Sequence, residues 1–360
     1  MIKPKNFLNA FKKNGMLFFV GVPDSILSGM ISLLDSKKDD YIHRSAANEG
    51  GAIGLAIGYY ISTSKIPVVY MQNSGLGNAI NPLTSLADKK IYGIPMVLVI
   101  GGRGILGYKD EPQHLKMGPI TLEVLKVLGI KYKILTKENF QNEIKKAKDT
   151  SLKSNQPYAL IVKPKLIETL PIKFTKDSKK LVKRKDFIEK IVHFHKDNNF
   201  IVGSTGYTAR EIYYFLNKEK KNHNKIFHSI GGMGHANQIA AEYAKQRPNC
   251  RTIIADGDGA AIMHLGNFST IRHLNLKNFI HIVFNNNIHE STGGQLVSSP
   301  DLDYKKLFKL FGYKKVFSIT RPHQLSKILK KKTSGSIGIL IKVNQGSIIN
   351  LPRQNIKNLL

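Results

Sequence analysis

The residues best suited to chemistry lie between Thr252 and Asn287. One carboxylate stands there between two glycines, Gly257-Asp258-Gly259, followed by Ala260. After 25 residues (260 to 284) comes a run of amides, Asn285 to Asn287. Carboxylate and amide oxygens are hard donors, the kind a divalent cation such as Mg²⁺ takes when it shares its coordination with a ligand's phosphates. Gly257 and Gly259 let the backbone approach a ligand closely. The helical pattern after them aims its N-terminal N–H groups at an anion. Gly-Asp-Gly by itself is also a common β-turn; its pairing with an amide cluster at the end of the next apolar run favours a cation and diphosphate site.

A second carboxylate, Glu49, opens a segment with almost no side-chain bulk: Ala46, Ala47, Gly50, Gly51, Ala52, Gly54, Ala56 and Gly58. Glycine inside a helix costs about 1 kcal/mol, so this many implies close packing against another backbone or a ligand. Glu49 reads either as an exposed first-turn acid favoured by the helix dipole or as a desolvated carboxyl able to hold and exchange a proton. Arg103, Lys109 and His114 follow a single apolar run, the loop position where catalytic groups collect, and together suit an anion. Asp24 and Ser25 can cap a helix over Ile26–Leu34 or face a ligand. Gln72-Asn73-Ser74-Gly75 and Gly203-Ser204-Thr205-Gly206 are further glycine turns. The hydroxyls and N–H groups of the latter can take a phosphate. Gly231-Gly232-Met233 lies in a flexible turn that enters a small-residue helix, and Ile288-His289-Glu290 follows the amides.

The groups at 72–75, 103, 203–206, 256–260 and 285–290 stand where an apolar run gives way to a turn. The runs are Val68–Met71, Pro95–Ile100 and Tyr158–Val162 in one stretch, and Phe200–Val202, Thr252–Ala255, Phe279–Phe284 and Ile337–Val343 in another. Strands alternating with helices predict an α/β architecture of parallel sheets covered on both faces. Ligands bind such open sheets beyond the carboxyl ends of the strands. Right-handed crossover brings the ends of 252–255 and 279–284 to one edge. Two domains follow, 1–165 and 185–360, joined by a Lys-rich, weakly periodic linker over 166–184. The basic stretch 301–332 reads as a covering helix.

The chain has 360 residues, a formal net charge of +30 and one cysteine, Cys250. That length suits two domains, and one cysteine excludes an internal disulfide. No apolar run reaches the roughly 18 residues of a membrane span, and the N-terminus lacks the apolar core of a signal peptide. A cytoplasmic protein without membrane segments is expected. The excess charge is mostly lysine scattered over 126–148, 173–190 and 305–332, without an RNA-binding signature, zinc-finger spacing or Gly-Arg tract. Solvated helix faces, rather than a nucleic-acid partner, account for it.

Read together, the motifs resemble the thiamine-diphosphate-dependent decarboxylase superfamily, in the short branch of the phosphonopyruvate and sulfopyruvate decarboxylases. The residues carrying the resemblance are GVPDS at 21–25, AANEG at 46–50, QNSGLGNAINPLTSLAD at 72–88, IPMVLVIGGRG at 94–104, DEPQH at 110–114, GGMGHANQIA at 231–240, ADGDGAAIMHLG at 255–266 and HESTGGQ at 289–295. The resemblance implies two doubly wound parallel-sheet domains of the thiamine-diphosphate-binding fold with no middle domain, the first pyrimidine-binding and the second diphosphate-binding. It implies thiamine diphosphate and Mg²⁺, the metal held by Asp258, Asn286 and the carbonyl of Ile288, with Asn285 as the alternative to Asn286. Glu49, Gln72, Asn73, Ser204, Thr205, Gly206, Gly231, Gly232, Met233 and Gly257 to Ala260 are the implied cofactor contacts.

Glu49 is the implied proton-exchanging partner of the cofactor's aminopyrimidine, with Asp24, His114 and Glu290 for further proton transfer. Asp24, Ser25, Arg103, Lys109 and His114 are the implied substrate contacts. The implied reaction is non-oxidative decarboxylation of 3-phosphonopyruvate to phosphonoacetaldehyde and CO₂, in phosphonate biosynthesis, with a homodimer or larger homo-oligomer as the active unit. Sulfopyruvate or another 2-oxo acid is the alternative substrate. A basic scaffold or nucleic-acid binder is the non-enzymatic alternative, and it has no use for Glu49, Asp258 and Asn286 together. Three positions depart from the branch: Gly102 where a Trp is usual, Asn286-Asn287 where Asn-Gly is common, and Glu290 where an Asp is common.

Overall fold

The computed structural model describes residues 1–36, 39–105, 107–172, 174–196, 198–331, 334–352 and 354. Two compact units divide the chain: Met1–Ile172 with Ser291–Ser298, and Lys173–Glu290 with Ser299–Leu360. The boundary falls inside the expected linker. The segment Ser291–Ser298 was expected in the second domain and groups with the first unit instead, because it packs there: the Ser45 hydroxyl donates to the Leu296 carbonyl at 3.4 Å.

In the first unit the strands are β1 (Phe18–Gly21), β2 (Ile42–Ser45), β3 (Val68–Gln72), β4 (Val97–Gly101), β5 (Lys131–Ile134) and β6 (Tyr158–Val162). They lie in the order β2-β1-β3-β4-β6-β5, and all pairs are parallel. Alternate residues of the apolar strands enter different cores. Val68 and Tyr70 pack with Phe7, Phe11 and Phe19 on one face. Val69 and Met71 pack with Ala52, Ile53 and Ala56 on the other. This is the two-sided burial that a continuous apolar run requires.

The second unit contains β7 (Asn199–Gly203), β8 (Ile226–His228), β9 (Arg251–Gly257), β10 (Phe279–Asn285), β11 (Lys315–Ile319) and β12 (Ile337–Lys342). Its order is β8-β7-β9-β10-β12-β11, again parallel throughout. Strand for strand this is the same permutation as the first sheet. The basic stretch 301–332 is not one covering helix. It is the helix Tyr304–Leu310, the edge strand β11 and the helix Pro322–Lys330, with Gly312 at φ 73 turning the chain between the first two.

Candidate active site

In the second unit the loops after β9 and β10 meet, because those strands are adjacent and parallel. Asp258 begins the helix Asp258–Met263 and is buried. Its Oδ2 accepts the N–H groups of Asn286 at 3.2 Å and Asn287 at 2.7 Å, and its Oδ1 accepts that of Gly259 at 2.8 Å. Asn287 turns the loop at φ 63. The Asn286 Oδ1 accepts the Ile288 N–H at 3.1 Å. The Tyr304 hydroxyl donates to the Asp258 carbonyl at 2.9 Å. Burial pushes the Asp258 carboxyl up to about 6, against its three N–H donors and the charge of Arg184.

A desolvated carboxylate gains strongly from a cation. The Oδ1 of Asn287 is also buried without a hydrogen-bond partner. The available donors are therefore all oxygens, which suits Mg²⁺ better than a softer metal. The desolvated Asp258 carboxylate fits a cation, and so does the unpartnered Asn287 Oδ1; Asn286 Oδ1, already accepting the Ile288 N–H, would join with its second lone pair.

The rest of the second-half site residues line the same sheet edge. Ser204 Oγ accepts the Gly257 N–H at 3.1 Å and the Ser204 N–H donates to the Ala255 carbonyl at 2.9 Å. The Thr205 hydroxyl donates to the Ile230 carbonyl at 3.0 Å. Gly206 and Gly232 have φ of 94° and 60°. Ser204–Gly206, Gly231–Met233, Asp258–Ala260 and Asn286–Ile288 thus follow β7, β8, β9 and β10, four neighbouring strands, with Gly257 ending β9.

In the first unit Glu49 is buried at the start of the helix Glu49–Thr63, which Asn48 caps by accepting the Gly51 N–H at 2.8 Å. Glu49 Oε2 accepts from the Asn78 amide at 2.7 Å. Its carboxyl lies so close to Gly75 that any β-carbon there would overlap Oε1. Asp24 is fully buried; its Oδ1 accepts from the Gln72 amide at 2.8 Å and its Oδ2 from the Ile26 and Leu27 N–H groups at 2.9 and 3.2 Å. Burial raises its carboxyl, with Gln72 and the Arg103 charge opposing. The capped helix begins later than expected, at Ser28. His114 is buried and pushed down to about 4 by burial and by the Arg103 charge, with Asp110 opposing. It is therefore neutral at pH 7, and its Nδ1 is buried without a partner.

Arg103 is held by Asp110 through two bonds, Nε to Oδ2 at 2.7 Å and Nη2 to Oδ1 at 2.5 Å, while Nη1 donates to Ser25 Oγ at 2.9 Å. Lys109 is exposed.

Comparison with known proteins places these two strand edges in one family. Residues 5–121 match "Thiamine pyrophosphate enzyme, N-terminal TPP binding domain" and residues 202–343 match "Thiamine pyrophosphate enzyme, C-terminal TPP binding domain". The chain belongs to the thiamine pyrophosphate enzymes. It is similar to the phosphonopyruvate decarboxylase of Streptomyces hygroscopicus, 27% identical over 99% of this chain and 91% of that protein. It is also similar to the phosphonopyruvate decarboxylase of Streptomyces viridochromogenes, 27% identical over 95% of this chain and 88% of that protein. Sulfopyruvate decarboxylase subunit alpha of Methanocaldococcus jannaschii is 35% identical over 42% of this chain and 88% of that subunit.

Three residues expected to face cofactor or substrate have side chains engaged within the protein. The Asn73 side chain is taken up by the protein. It is fully buried, its Oδ1 accepts the Arg103 N–H at 3.1 Å, and its amide donates to the Arg103 carbonyl at 2.8 Å and to Thr121 Oγ1 at 2.9 Å. Gln72 is similarly engaged, donating to Asp24 and accepting from the Ser74 hydroxyl at 2.7 Å. Glu290 is not a free proton-transfer group. It pairs with the buried Arg184 at 2.9 Å and accepts the Gly346 N–H, while Arg184 also binds Glu211 at 2.8 Å.

At Gly102 the space beside the α-carbon is filled by Ile105 and Ile161, which a larger side chain would meet. Asp110, Asn78, Tyr304 and Arg184 escaped the sequence reading as site residues. The first two lie inside quoted motifs, the last two in stretches with no motif.

Proposed function

We propose that this enzyme decarboxylates 3-phosphonopyruvate to phosphonoacetaldehyde and CO₂ in the cytoplasm, within phosphonate biosynthesis, using thiamine diphosphate and Mg²⁺. The observation that carries the reading is the pair of strand edges just described. One presents Glu49 pressed on Gly75; the other presents Asp258 tied to Asn286 and Asn287. Bound thiamine diphosphate supplies a carbon nucleophile and an electron sink.

The chain's own residues do the rest. Asp258, Asn286 and the Ile288 carbonyl hold the cation, and the turns at 204–206 and 257–260, whose Ser204, Gly257 and Gly259 N–H groups are already bonded within the protein, receive the diphosphate. Glu49 holds and returns a proton at the cofactor's pyrimidine nitrogen, fixed by Asn78. Neutral His114 and buried Asp24 accept or supply protons at the substrate. Arg103 and Lys109 bind its anionic tail, and Ser25 steadies Arg103. No helix of the described residues is long and apolar enough to cross a membrane. Glu49 and the metal ligands come from different units, and a homo-oligomer is the proposed active form.

Release of CO₂ from phosphonopyruvate, sulfopyruvate and pyruvate, each with and without thiamine diphosphate and Mg²⁺, tests the reading. The expected order puts phosphonopyruvate first, with no release when either addition is omitted. Faster release from sulfopyruvate would transfer the assignment to that substrate.

A further inference from the structure

We propose that Asn73 and Asp110 are positioning residues that preset the Arg103 guanidinium and make it the specificity determinant for the substrate's anionic tail. The proposal rests on the reading of Arg103 as the contact for that tail. Asn73 fixes the backbone. It accepts the Arg103 N–H at 3.1 Å and donates to the Arg103 carbonyl at 2.8 Å. Its remaining amide hydrogen goes to Thr121 at 2.9 Å, and the Thr121 hydroxyl donates to the Met117 carbonyl at 2.6 Å. Both Asn73 and Thr121 are fully buried.

Asp110 fixes the side chain from the other end. It takes Nε–H and one Nη2–H in a fork, and is itself held by the N–H groups of Gly104 at 2.9 Å and Glu111 at 2.8 Å. Burial alone would raise the Asp110 carboxyl. The Arg103 hydrogen bond, the Glu111 N–H and the charges of Arg103 and His114 outweigh it and hold it at about 2, so the pair stays ionised at any working pH.

A guanidinium has five N–H donors. Asp110 takes two and Ser25 takes one, which leaves one on each Nη. Two donors on neighbouring nitrogens match two oxygens of one tetrahedral anion, and an ammonium cannot reproduce that edge. Asp110 also cancels the charge of Arg103. Selection by this pair therefore depends on the direction of the two remaining donors, with the exposed Lys109 left to supply attraction.

The test is a double-mutant cycle on Arg103 and Asp110, reading kcat and KM for phosphonopyruvate and sulfopyruvate with the cofactor-loaded enzyme. Asp110→Asn should raise KM about 10- to 100-fold, the range for losing hydrogen bonds to a charged group, with kcat within about threefold. It should add nothing in an Arg103→Ala background, since contacts acting through one residue are not additive. Asn73→Ser should show the same pattern with a smaller rise. Asp110→Glu keeps the charge but displaces the fork, guards against a folding defect and should also raise KM. Equal losses from Asp110→Asn in both backgrounds, or a fall in kcat at unchanged KM, would overturn the proposal. A wild-type enzyme that turns over neither acid would overturn the functional reading beneath it, a result distinct from additive losses in an active enzyme.

Discussion

Asn73 is the first residue beyond β3, and Asp258 is the first beyond β9, the strand that occupies the same place in the second sheet. Each reaches across to the loop after the next strand. Asn73 accepts the N–H of Arg103, two residues past β4, at 3.1 Å; Asp258 accepts the N–H of Asn287, two residues past β10, at 2.7 Å. The cross-link is the same and the chemistry differs by one group. The asparagine has an amide to donate and uses it on the Arg103 carbonyl, so its loop is satisfied by protein alone. The aspartate has no hydrogen to give and keeps a negative charge, and its loop is left with oxygens that a cation can use. One topology thus yields a loop that presents a side chain and a loop proposed to hold a metal.

Three experiments would break or sharpen this contrast. The largest effect is expected at Asp258. Asp258→Ala should abolish Mg²⁺-dependent binding of thiamine diphosphate, since the site loses its charged ligand, whereas Asn73→Ala should retain it. Calorimetric titration of the cofactor decides, and wild-type affinity in Asp258→Ala would remove that residue from the metal site.

Glu49→Gln comes next. It keeps size and a donor but cannot exchange a proton. Decarboxylation should fall by the roughly 10²- to 10⁴-fold typical of a lost acid–base group, with cofactor affinity kept because the second unit is untouched. Exchange of the cofactor's C2 proton in D₂O should slow in parallel; exchange at the wild-type rate would reduce Glu49 to a helix-start residue.

The smallest effect concerns stability and compares one histidine from each unit. His114 is pushed to about 4 by burial and the Arg103 charge, and His228 to about 4 by burial and the His223 charge. A base with a depressed folded value contributes stability that is present above about 6.5 and lost as pH falls through 4. Each contributes at most about 3 kcal/mol. Melting temperature should therefore fall across that window, and His114→Gln and His228→Gln should each flatten the fall; unchanged slopes would mean that neither ring is held neutral.

What the sequence disclosed follows from burial. All seven apolar runs are strands, and all lie inside their sheets. Of the five strands outside those runs, β1 is a buried interior strand and the other four are the edges, β2, β5, β8 and β11. Ile42–Ser45 and Lys131–Ile134 alternate exposed with half-buried positions, and Lys315–Ile319 has only its last residue buried. An edge strand need not be apolar, so no apolar run marks it. The second-half turns at 204–206, 231–233 and 257–260 and the amides after β10 were legible as strand-end segments, because glycines and short polar residues form a local pattern. The first-half site was legible only in its parts. That Asp110 holds Arg103, or that Asn73 faces inward, depends on which side of a turn a side chain takes, and spacing does not encode it.

The overlooked edges bear on the protein's solubility. Sheets with such apolar interiors expose unpaired N–H and C=O groups along their outer strands, a template for the strand of another molecule. Here those strands carry Arg44, Lys131, Lys133 and Lys315 at exposed positions, and β8 is only three residues long. Incoming chains would have to dock beside like charges or find too little backbone to pair with. Part of the net charge of +30 thus acts as a guard against edge-to-edge aggregation, with no acidic partner required to explain it.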